Sequence, residues 1–125
     1  MNFAWLHEQL SDLEDVLLLP VATPRSEPSW FGFPILVRET APFTRDELTR
    51  FLEGRRIATR LLFGGNLTRQ PAYQGVNFRT VDDLPRADRV MHGAFWVGVF
   101  PGLTRPMLEY VADSIREFCR AGVRA

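Results

Sequence analysis

The sequence contains no lysine; all 15 of its basic residues are arginine. That excludes a lysine Schiff base between this chain and pyridoxal phosphate or a carbonyl substrate. It has one cysteine, Cys119, which excludes an internal disulfide and a cysteine-only metal site. Its two histidines, His7 and His92, stand far apart and show no zinc-ligand spacing. No apolar run nears the roughly 20 residues of a transmembrane helix. Net charge is zero, with acidic residues and arginines mixed along the chain. Neither nucleic acid nor a membrane surface is therefore expected as the main partner. No basic segment precedes the first apolar residues, so no secretory signal is expected, and a cytoplasmic setting fits. Neither a Gly-x-Ser-x-Gly nor a phosphate-loop lysine motif is present.

What is present suffices for one domain over residues 1–125. Hydrophobic residues make up 46% of the 125, enough to fold around a core. Phe3, Leu6, Leu10 and Leu13 recur at helical spacing over Asn2 to Leu13. This helix begins almost at Met1, which suggests that the chain starts partway into a larger structure. Asp15 to Leu19 reads as a short extended run ended by Pro20. Phe31, Phe33, Ile35 and Val37 share one face of a strand over Trp30 to Arg38. Thr44 with Glu47 forms a capping box ahead of Leu48, Phe51 and Leu52, and Gly54 stops that helix. Ile57 to Phe63 reads as a strand, Ala87 to Gly93 as a short helix and Phe95 to Phe100 as a strand. Thr104 then caps a last helix, with Leu108, Val111, Ala112, Ile115, Phe118 and Cys119 as its apolar face. Three or four strands with helices packed on one face predict an α+β two-layer sandwich.

Three constellations carry candidate chemistry. Pro28-Ser29-Trp30-Phe31-Gly32-Phe33-Pro34 sets three aromatics around a glycine. Phe33 reads as core, and Phe31 or Trp30 is left free to stack on a flat ligand. The run Arg60-Leu61-Leu62-Phe63-Gly64-Gly65-Asn66-Leu67-Thr68-Arg69-Gln70-Pro71-Ala72-Tyr73 joins an apolar stretch to two glycines, an amide, two guanidiniums and a turn-forming proline. Such a loop approaches a ligand with its backbone, and Arg60, Asn66 and Arg69 suit phosphate or sugar hydroxyls. Simple turn geometry explains the two glycines and Asn66 as well. The third is Arg89 to Gly102, in which Arg89 is either a ligand cation or half of a salt bridge. His7 reads as a surface or partner-facing residue, His92 as structural or indirect, and Cys119 as core.

These blocks, in this order, resemble the C-terminal part of the DegT/DnrJ/EryC1/StrS family. The matching text runs from Thr23-Pro24 through Pro34, from Thr59 through Tyr73, and from Phe95 through Thr104. The branch it is most similar to is that of CDP-4-dehydro-6-deoxyglucose 3-dehydratase, in lipopolysaccharide biosynthesis. The resemblance implies the small C-terminal domain of a fold type I enzyme. It implies a nucleotide-linked 4-keto sugar as substrate and pyridoxamine or pyridoxal phosphate as cofactor. It also implies an iron–sulfur cluster in the CDP-sugar members, for which no matching ligand occurs here. By motif position, Phe31 would form an aromatic wall. Arg89 would hold substrate or developing negative charge, and Asn66 and Arg69 would contact sugar or phosphate. No catalytic residue is assigned to this chain, because the family's catalytic histidine and cofactor-phosphate site lie N-terminal to the matching text. A large-domain or homologous enzyme partner, or a homodimer, is expected to complete it. The competing expectations are a non-catalytic nucleotide-sugar-binding or pairing module and a fragment of a sugar aminotransferase.

Overall fold

Alternation builds the centre of the sheet. In strand β2 (Phe33–Val37), Phe33, Ile35 and Val37 are buried while Pro34 and Leu36 face the other way. A computed structural model describes residues 1–123. The remaining elements are helix α1 (Asn2–Leu10), strand β1 (Leu17–Leu18), helix α2 (Arg45–Gly54) and strand β3 (Thr59–Leu61). Helix α3 (Pro85–Gly93), strand β4 (Ala94–Val97) and helix α4 (Arg105–Val123) follow. Single turns of 3-10 helix fill Ser11–Leu13, Leu67–Arg69 and Pro71–Tyr73.

The four strands form one antiparallel sheet in the order β1-β2-β4-β3. Strand β1 reaches only Leu36 and Val37. On that side nothing asks Pro34 for the amide hydrogen it lacks. Phe33, Ile35, Val37, Phe95 and Val97 form the sheet's side of the core. Leu6 and Leu10 from α1, Leu48 and Leu52 from α2, and Ile115 and Cys119 from α4 cover them. Each large side chain buried this way stabilises the fold by about 1.5–3 kcal/mol. The expected α+β two-layer architecture is what the chain adopts.

Three local expectations change here. Gly54 is the last residue of α2, and the left-handed turn that ends it falls on Arg56 (φ 60°). Strand β3 is shorter than Ile57 to Phe63, because Phe63 turns to φ 51° and its amide donates to the Leu61 carbonyl at 2.8 Å. His7 is half-buried: its ring lies 6.4 Å from both Phe3 and Phe33, and its Nε2 has no partner. Packing of α1 onto the sheet therefore turns it partly inward, where a surface or partner-facing position was expected.

Candidate functional site

The glycine-rich run folds as a self-closed loop seated on α3. Gln70 Nε2 donates to the Gly64 carbonyl at 2.8 Å and closes it. Gly65 takes φ 59°, and a Cβ there would lie 2.8 Å from the Met91 Cα of α3. Glycine is needed for both reasons, the left-handed backbone and the close approach.

Asn66 is buried, with only 2% of its surface exposed, and both polar atoms of its side chain are engaged. Its Oδ1 accepts from the Thr68 amide at 3.1 Å and the Thr68 hydroxyl at 2.7 Å. Its Nδ2 donates to Asp88 Oδ1 at 2.6 Å. Arg69 grips the same carboxylate, Nε to Oδ1 at 3.3 Å and Nη2 to Oδ2 at 3.1 Å. These bonds, Arg69 first and Asn66 second, hold the Asp88 carboxyl below its ordinary range. The same pairing raises the Arg69 guanidinium. The structure thus joins Asn66 and Arg69 through Asp88, a residue the sequence did not single out. Its only sequence signal is an acidic side chain in the first turn of a helix, where a dipole explanation suffices.

The start of the loop, Leu62 and Phe63, lines a recess of about 280 Å³ with Trp30, Phe31, Pro34 and Trp96. Phe33 is core and Phe31 is 77% exposed. The Phe31 ring sits 5.0 Å from Trp96, tilted by 55°. Trp30 instead stacks flat on Phe3 of α1, at 4.0 Å and 6°. Of the two candidates, then, Phe31 is the aromatic left free. Gly32 lets the chain pass Trp96, since any Cβ would enter that ring.

A second recess, of about 730 Å³ and with charged side chains in a largely apolar wall, lies between residues 37–47 and α3. Arg38, Arg45, Asp88, Arg89 and His92 line it. Arg45 is anchored by Nη1 donating to the Ala94 carbonyl at 3.2 Å. Glu47 is used by the capping box, accepting from the Thr44 amide at 2.7 Å and hydroxyl at 2.8 Å. Those bonds, the amide first, lower its carboxyl from the ordinary value of 4.5. Among the described residues Arg89 meets only the exposed Glu39, at 3.8 Å, a contact worth little. Its guanidinium is the least committed cation in this recess. Phe31 and Arg89 therefore line different recesses; the start of the loop lines the first, and Asn66 and Arg69 bond to Asp88, which lines the second. Among the described residues no group of three or more His, Cys, Asp or Glu could hold a metal ion. No helix among them is long and apolar enough to cross a membrane.

Residues 1–116 match the model of the DegT/DnrJ/EryC1/StrS aminotransferase family. Over 117 residues, 94% of the chain, the sequence is 56% identical to a Saccharopolyspora spinosa protein. That protein is dTDP-4-dehydro-2,6-dideoxy-D-glucose 3-dehydratase. It is 48% identical, over the same share, to lipopolysaccharide biosynthesis protein RfbH of Salmonella typhimurium. The chain spans 25% and 27% of these two relatives' lengths. Among solved structures it resembles DesV of S. venezuelae in complex with a ketimine intermediate, with 30% identity and a TM-score of 0.75. That likeness covers 94% of this chain and 31% of the other. E. coli GDP-4-keto-6-deoxy-D-mannose-3-dehydratase has the same fold at 19% identity, with a TM-score of 0.79 over 91% of this chain and 29% of that one.

Proposed function

The chain belongs to the DegT/DnrJ/EryC1/StrS aminotransferase family, and from that membership we propose that it is the small C-terminal domain of a 3-dehydratase. The substrate is a nucleotide-linked 4-keto deoxysugar, in deoxysugar or lipopolysaccharide biosynthesis in the cytoplasm. One observation carries the reading. The relatives at 56% and 48% identity are a 3-dehydratase and a lipopolysaccharide biosynthesis protein, whereas two transaminase relatives reach only 28% and 31%.

Pyridoxamine phosphate, when bound, supplies the electron sink for loss of the C3 hydroxyl. This chain has no lysine to bond to such a cofactor. Its part is to cover and orient. Phe31, exposed over Trp96, offers an aromatic wall to a flat ring or sugar face. Arg89 offers a cation with little competing partner to a phosphate or developing oxyanion. Asn66 and Arg69 serve the site through the loop they fasten. An iron–sulfur cluster is held by thiolates, and Cys119 does not fit. It is buried, and burial pushes its thiol up to about 12. The exposed apolar side chains Phe31, Phe63, Phe100 and Met107 support a partner that covers them, a large domain or a second enzyme chain.

The test is a fusion of this chain to the part of the Saccharopolyspora spinosa relative that it does not match. Dehydration of a 4-keto sugar nucleotide by the fusion, and none by the chain alone, is expected. Amino transfer in its place would make the chain an aminotransferase domain. A folded, inert fusion would make it a non-catalytic module.

A further inference from the structure

We propose that Asp88 is the positioning residue of this site: its carboxylate fixes the Gly64–Arg69 loop on α3 and so sets where Phe63 stands in the aromatic recess. The loop has few other holds on the helix. Gly65 touches Met91 but contributes no side chain. Asn66 and Arg69 converge on this one carboxylate, with bonds at 2.6, 3.3 and 3.1 Å. Arg69 adds one long bond to the Asp83 carbonyl, at 3.4 Å. Phe63 is strained at φ 51° and 79% exposed. An aromatic residue keeps that backbone only where its surroundings fix it. Gln70 closes the loop on itself at Gly64, but the side-chain bonds that hold it to α3 are gathered on its far side, at Asp88. The functional meaning rests on the domain assignment above, but the placement of Phe63 does not.

The test is solution NMR of the 125-residue chain, in which Trp5, Trp30 and Trp96 report separately through their indole N–H signals. Asp88→Asn is expected to move the Trp96 signal, which shares the recess with Phe63. The Trp5 signal on α1 stays in place. Exchange of the Thr68 and Arg69 amides quickens by about tenfold or more. Asp88→Glu, which keeps the charge, restores part of both. Should Asp88→Asn unfold the chain, Arg69→Gln removes the same clasp from the loop side and gives the same readout. A folded variant with unmoved Trp96 and unchanged loop exchange overturns the proposal. So does a uniform shift of all three indoles, which marks a general loss of packing. No ligand enters the measurement, so it can fail while the dehydratase reading stands, and the reverse.

Discussion

Gly65 and Met91 meet backbone to side chain, so closely that a Cβ on Gly65 would lie 2.5 Å from the Met91 Cβ. The obstacle includes the Met91 Cα, which cannot swing aside as the end of a side chain can. Gly65 also holds φ 59°, which disfavours any Cβ. Gly65→Ala should therefore destabilise the chain by about 2–4 kcal/mol in urea unfolding. Gly64→Ala meets only the Leu67 Cδ2, a flexible tip, and should cost about 1 kcal/mol or less. Equal losses at the two positions would show that the loop is not seated on α3.

Acid should weaken the fold through three carboxylates. Glu47 lies below its ordinary 4.5 through the Thr44 amide and hydroxyl. Glu53 lies below it through the Thr59 amide, at 2.6 Å, and hydroxyl, at 2.8 Å. Asp88 lies below its ordinary 3.8 through Arg69 and Asn66. Each is more acidic folded than unfolded, so its stabilisation is complete above the ordinary value. It is lost as pH falls through the folded one. The urea midpoint should hold at neutral pH and begin to fall near 4.5, with the Asp88 share lost below 3.8. Glu53→Gln should lower the neutral midpoint and flatten this descent. An unchanged slope would exclude Glu53 from it.

Local chemistry was legible where neighbours in sequence decide it. Thr44 and Glu47 lie three apart, and both capping bonds form. The alternation of Phe33, Ile35 and Val37 placed β2 and its buried face. Phe31 continues that alternation yet stands outside the core, because the strand begins only at Phe33. The clasp was not legible. Asn66 and Asp88 are 22 residues apart, and each has an ordinary local explanation as turn amide or helix-start acid. The end of α2 misled for a related reason. Arg56 takes the left-handed turn that glycine usually takes, and the turn is closed by the Ile57 amide donating to the Leu52 carbonyl at 3.0 Å as Ile57 enters the core.

Cys119 should be inert while the chain is folded. Burial, with Asp15 and Asp12 adding to it, holds its thiol up near 12. At pH 8 such a thiol stays protonated, whereas about a quarter of ordinary thiols are ionised. A thiol-reactive dye at that pH should label the native chain only as fast as it opens. Added urea should release one fast equivalent. Immediate stoichiometric labelling without urea would mean that the α4 face is not packed on the sheet.

Arg89→Ala tests the proposed ligand contact apart from stability. Its contact with Glu39 is long, and both side chains are well exposed. Arg89→Ala should change stability by about 0.5 kcal/mol or less. In the fused enzyme the same change should lower kcat/KM by about a hundredfold, the scale of losing one charge-stabilising donor. A large stability loss with unaltered kcat/KM would reduce Arg89 to a structural ion.

Phe31 and Phe33 stand two residues apart, and the depth of each decides what its removal does. Phe33 has no exposed surface and packs in the centre of the core. Phe33→Ala should cost about 3–5 kcal/mol. Phe31 is 77% exposed and keeps one tilted aromatic neighbour, Trp96. Phe31→Ala should cost about 1 kcal/mol or less. If Phe31 is the aromatic wall of the site, its removal should still lower kcat/KM of the fused enzyme by about tenfold or more, through lost orientation of the ring it faces. A stable Phe31→Ala fusion with undiminished kcat/KM would leave the aromatic recess without a part in turnover, and its exposed rings would then be a surface for a partner chain.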